Sequence, residues 1–164
     1  MQKAGMIYLE HQAAVYTSKS GRTYNIYGSP VSLRGSPFPP LIYPRCSELQ
    51  AAPVYSIGAF QYRAGHGRAI YDRIPPGTNI LITHTPPFGE RDVTKRKKHA
   101  GCPELTERLK HDDLQACRLH VYGHIHEAHG ATLVGQTANN PSGRISANAA
   151  LPTVPRPIIV DLQD

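Results

Sequence analysis

Apolar residues in this chain come in short bursts separated by turn formers, with few long periodic runs. Residues 6–18, MIYLEHQAAVYTS, are rich in β-branched and aromatic side chains. A turn at SGR and the stretch TYNIYGSP follow, so the pair predicts a β-hairpin. Residues 28–69 include GSPVSLRGSPFPPLIYPR, whose prolines and glycines exclude a long helix and predict a surface loop. GHGRAIYDRIPPGTN predicts a short helix that stops at Pro75. The strongest strand signal is NILITHTPPFG, where the continuous run Ile80 to Thr83 predicts a strand buried on both faces and ending at His84. Residues 102–117, CPELTERLKHDDLQAC, place Pro103 in a first turn and Leu105, Leu109 and Leu114 on one side, as in an amphipathic helix. RLHVYGHIHEAHG, ATLVGQT, RISANAAL and RPIIVDL read as further strands. This order of strand, loop, strand, helix and strands predicts an α/β (or α+β) fold.

Composition adjusts this picture in three ways. A chain of 164 residues is long enough for one domain with a sizeable core, here taken as residues 1–164. The net charge of +6 favours anionic ligands without naming one. Cys46, Cys102 and Cys117 are odd in number and form no CxxC pair, which predicts reduced thiols in an intracellular, cytoplasmic protein. No apolar run approaches the ~20 residues of a membrane span. The first residues lack the apolar stretch of a secretory signal, so no membrane is expected as a partner.

Candidate chemistry concentrates in HVYGHIHEAHG, residues 120–130, which holds four of the nine histidines. In extended backbone, residues i and i+2 share a side. His124 and His126 would then point together, with Ile125 turned into the core. Gly123 would let the backbone approach a ligand closely. Two neutral imidazoles at a strand end make half a site for Zn, Mn or Fe. His84 also closes an apolar strand, at the rim where open α/β sheets bind ligands. His11, His66, His99, His111, His120 and His129 read as solvated.

The stretches LITHTPP (81–87) and GHIHE (123–127) resemble the calcineurin-like metallophosphoesterases. YGSP (27–30), GTNILITHTPP, the helix start GCPEL (101–105), NAA (148–150) and RPIIVDL (156–162) are similar, more narrowly, to the metallophosphoesterase-domain-containing group. The resemblance implies a sandwich of β-sheets flanked by helices. It also implies hydrolysis of a small-molecule phosphate ester, mono- or diester, at a site holding two divalent ions, Mn, Fe or Zn. It assigns His84 and His124 to one metal and His126 to the other.

That family's pattern opens with DxH, GD and GNH(D/E) motifs, which supply further ligands including a bridging aspartate. Residues 1–30 contain none of them. The expectation is therefore a partial sandwich that lacks the N-terminal strands and helices. Three neutral imidazoles offset none of the roughly four positive charges of two divalent ions. At most one weakly held ion is expected, with Glu90, Asp92 and Glu127 as the nearby carboxylates, and no catalytic residue is assigned. Glu127 would only support the site. The alternative is a non-catalytic remnant that binds a metal or a partner. An uncovered apolar sheet edge would invite a homo-oligomer or another partner. The basic loop RDVTKRKKH has no aromatic stacking residue or recognition motif of its own, so nucleic acid is not expected as a partner.

Overall fold

The computed structural model describes residues 5–33, 60–62, 65–136, 140–151 and 156–162. Its centre is a six-stranded mixed sheet. Strand β1 (Gln12–Thr17) and β2 (Thr23–Ser29) form the expected hairpin. Its turn closes with the Gly21 N–H donating to Ser18 O at 3.0 Å, and Gly21 adopts a left-handed φ of 85°. Short strands β3 (Ser32–Leu33) and β4 (Gln61–Tyr62) pair in parallel apart from the main sheet. Helix α1 (Gly67–Tyr71) then leads to β5 (Ile80–Thr83), and α2 (Pro103–Leu109) leads to β6 (Leu119–Tyr122). Strands β7 (Gly130–Val134) and β8 (Arg144–Asn148) complete the sheet, in the spatial order β1-β2-β5-β6-β8-β7. β2, β5, β6 and β8 run parallel, and β1 and β7 are antiparallel edges.

The two faces of this sheet differ. One register row runs Tyr27, Leu81, His120, Ser146 across the four parallel strands, and all four residues are buried. Tyr27 and Leu81 join Tyr71, Ile74, Leu105, Leu109 and Leu114 in one core beneath the helices. The neighbouring row runs Ile26, Ile80, Leu119, Ile145, Leu133 and projects to the other side, because side chains alternate along a strand. On that side Ile82 is 43% and Leu133 51% exposed. Among the described residues no helix or second sheet covers it. The α/β expectation thus holds as half of a sandwich, with helices on one face.

Several boundaries move. The first strand starts at Gln12, and Met6, Ile7 and Tyr8 stand exposed. The strand at Ile80–Thr83 is buried on one face only, which corrects the two-sided expectation. The helix expected over 102–117 ends at Leu109, and a 3₁₀ turn at Asp112–Leu114 follows. Extended backbone at His111 breaks it, while Arg108 turns back to bind Asp113 at 2.6 Å. Leu114 still reaches the core. Residues 156–162 form no strand: they have no partner strand among the described residues, and Ile159 is 91% exposed. Most of the loop expected between β2 and α1, residues 34–59, lies outside the described residues, as does Cys46. Cys102 and Cys117 are buried free thiols. No described helix is long and apolar enough to cross a membrane.

Candidate metal centre

The parallel strands β5 and β6 are neighbours, so their C-terminal ends open on one rim. His84 is the first residue past β5. Its N–H donates to Ser29 O at 3.2 Å, and its carbonyl accepts from Gly123 N–H at 3.1 Å. These bonds tie the exits of β2, β5 and β6 together. His124 follows Gly123 with a φ of 70°. A left-handed backbone at a non-glycine residue is strained, and such strain gathers at binding sites. The result is a close pair: His84 Nε2 lies 3.0 Å from His124 Nδ1. One proton between the two nitrogens makes this contact a hydrogen bond.

Both rings are poised to be neutral at pH 7. Burial lowers the pKa of His84. Burial, with the neighbouring rings of His84 and His126, pushes His124 down to about 4. Neutral imidazoles offer lone pairs, which a metal needs.

His126 does not sit where strand alternation would put it. Residues 126–128 form a 3₁₀ turn, and His126 is exposed. The i, i+2 rule fails because β6 ends at Tyr122, before the motif. Ile125 is nevertheless buried, as expected. Gly123 has no left-handed φ, and a Cβ there would meet the protein itself only at Ala150, 3.8 Å away.

The sequence had marked three carboxylates near the histidines, and each is engaged elsewhere. Glu90 accepts from Arg144 Nη2 at 2.7 Å and Ser146 Oγ at 2.6 Å. Asp92 is fully buried and accepts from the N–H groups of Gly89 and Gly101 at 3.1 and 3.0 Å, with His99 Nδ1 at 2.7 Å. Glu127 accepts from the Lys95 N–H. Among the described residues no group of three or more His, Cys, Asp and Glu side chains is arranged around a metal position. Two nitrogens sharing one ion at about 2.1 Å each would stand roughly 3.0–3.4 Å apart. The His84–His124 spacing of 3.0 Å suits one ion. Among the described residues no carboxylate bridges a second position.

Sequence reasoning missed the residues that hold this rim from beneath. His120 was read as solvated and is completely buried. Thr83 Oγ1 donates to Thr85 O at 2.8 Å, so it accepts from His120 Nε2–H at 2.8 Å, and Nδ1 has no partner. Alternation along β6 was the available signal: His120 and Tyr122 share the inward face. His129 and His11 are partly covered and bonded, to Ala150 O at 2.9 Å and Ser29 Oγ at 3.3 Å, while His66 and His111 are exposed as expected. Asn148 Nδ2 donates to Ile125 O and Arg91 O, both at 2.9 Å, and so locks the loop that carries His124.

A human protein named metallophosphoesterase domain-containing protein 1 is 40% identical to this chain over 100 residues, 58% of this chain and 29% of the human protein. The mouse protein of that name matches equally. Over that part the chain is similar to the metallophosphoesterase domain-containing proteins. It spans 29% of the length of those two proteins. A Caenorhabditis elegans UPF0046 protein is 31% identical over 97 residues, 55% of this chain and 34% of the worm protein. A probable rhamnogalacturonate lyase C from Emericella nidulans is 29% identical over 134 residues, 82% of this chain but 10% of that protein. No protein-family model matches the chain. In this chain, LITHTPP and GHIHE lie at the adjoining exits of β5 and β6.

Proposed function

We propose that this chain, as one domain, carries the histidine rim of a metal-dependent phosphoesterase, whose reaction is hydrolysis of phosphate mono- or diesters of small molecules. His84 and His124 ligate one divalent ion, Mn, Fe or Zn, and His126 serves a second metal position from the adjoining turn. The observation that carries this reading is the 3.0 Å meeting of two neutral imidazoles across adjacent parallel strand ends. The relatives' names supply the reaction class. The engaged states of Glu90, Asp92 and Glu127 favour the second half of the proposal: the chain alone holds one ion weakly and does not complete two-metal chemistry. A remnant that binds a metal or a partner without catalysis is the second reading, favoured by the open sheet face.

Titration calorimetry with Mn²⁺ and Zn²⁺, alongside p-nitrophenyl phosphate turnover, tests both halves. One ion per chain is expected, lost in the His84→Ala, His124→Ala variant. Turnover should equal that of the same variant. No ion at all would remove the metal role. Two tightly held ions with turnover above the variant would remove the impairment.

A further inference from the structure

The basic loop set aside in the sequence is an ordered hairpin. Val93 and His99 pair in antiparallel fashion at its base. Above them the Thr94 N–H donates to Lys98 O at 2.9 Å, and Lys97 N–H donates to Thr94 O at 2.9 Å. The Thr94 hydroxyl also donates to Lys98 O at 3.0 Å. Lys97 completes the turn with a φ of 59°. The tip therefore displays Lys95, Arg96, Lys97 and Lys98 in succession, all exposed. Among the described residues, no carboxylate side chain forms an ion pair with any of the four.

This hairpin is held at its tip and at its base. Glu127 accepts the Lys95 N–H, which fixes the tip beside the loop of His124. Buried Asp92 gathers Gly89, Gly101 and His99 at the base. Gly101 is required there, since a Cβ would stand 2.2 Å from Pro87 O. At the same base Phe88 is 41% exposed, with its ring centroid 5.1 Å from that of His99. Its backbone is fixed, the N–H donating to Cys102 O at 3.2 Å and the carbonyl accepting from Thr106 Oγ1 at 3.1 Å. The aromatic surface absent from the loop itself is thus brought to it by the fold.

We propose that the Val93–His99 hairpin, with Phe88 at its base, is a docking site for single-stranded nucleic acid. Cations carried on an ordered backbone turn neutralise phosphates, and an aromatic face stacks an unpaired base, the two features that single-strand binders combine. Preorganisation of the turn spares the ordering cost a floppy basic tail would incur. Phe88 rests against His99 instead of standing free as an apolar wedge, which favours stacking over insertion into a lipid surface. The inference needs no metal and stands apart from the proposed phosphoesterase reading.

Fluorescence anisotropy of a labelled twelve-nucleotide oligothymidylate, in EDTA, tests it. With four phosphate contacts, log K should fall against log[NaCl] with a slope of about −2.8. This is roughly a fifty-fold loss between 50 and 200 mM. Changing Lys95, Arg96, Lys97 and Lys98 together to Ala should remove most of the slope. Phe88→Ala should weaken binding about tenfold and keep the slope. Circular dichroism of each variant checks that it is folded. Three results would overturn the proposal: no binding at 20 mM NaCl, binding unchanged in the quadruple variant, or an unaffected Phe88→Ala. Retention on phosphatidylserine vesicles without oligonucleotide binding would overturn it in favour of a membrane surface.

Discussion

Leu81 and Ile82 are adjacent in the strongest strand of the chain, yet they lie on opposite sides of a sheet of which, among the described residues, helices cover one face. Truncating each to Ala measures that asymmetry. Leu81 is 0% exposed and sits in the core with Tyr27, Tyr71 and Leu105. Leu81→Ala should cost about 2–5 kcal/mol, the range for a buried leucine that leaves a cavity. Ile82 is 43% exposed, and the change removes three carbons. At about 0.8 kcal/mol per buried carbon and roughly half burial, the loss is about 1 kcal/mol with no cavity to add. Ile82→Lys should also fold, since the ammonium can reach water. The chain has nine tyrosines and no tryptophan, so urea unfolding at low micromolar concentration is followed by far-UV circular dichroism and tyrosine fluorescence. Equal costs for the two alanine variants, or unfolding by Ile82→Lys, would refute the open face and restore the two-sided strand.

Three other outcomes follow from the same structure. Burial holds the His120 pKa well below 6.5, so below that pH the unfolded chain binds a proton that the folded chain does not. Stability should therefore fall with decreasing pH, by about 1.4 kcal/mol per unit from this group, and pH-dependent urea titrations of His120→Leu should lack that component. Gly101→Ala forces a Cβ onto Pro87 O and should detach the basic hairpin, seen as faster amide exchange at residues 92–101. Arg108 is buried, binds Asp113 through two bonds and also donates to Ile74 O at 2.7 Å. Arg108→Ala should cost about 1–3 kcal/mol in urea unfolding, because it orphans the Ile74 and Tyr71 carbonyls while half-exposed Asp113 returns to water.

The alternation of apolar residues, the proline at a first helical turn and the glycine-marked turn were local signals, and they located β1, β2, β5, α2 and β6. The strand-end position of His84 and the spacing of GHIHE likewise pointed to one rim. Neither could say that β6 would stop at Tyr122, that His124 would take a left-handed backbone, or that His126 would enter a turn. Those outcomes depend on Asn148 and His84, residues distant in the chain that bind the loop backbone at Ile125 O and Gly123 N–H. The fate of Glu90, Asp92 and Glu127 was equally hidden. A carboxylate written near a histidine is a candidate ligand until folding shows which donors reach it first.

Sequence alone determined the type of most elements and the buried stripe of α2, and it offered His84, His124 and His126 as candidate ligands, since periodicity and residue chemistry are carried by neighbouring positions. Tertiary structure decided that, among the described residues, helices cover one sheet face, that His120 is core, and that Phe88 packs against His99 at the base of the basic hairpin. Burial and ion pairing are sums over groups brought from far along the chain, and no local pattern contains them.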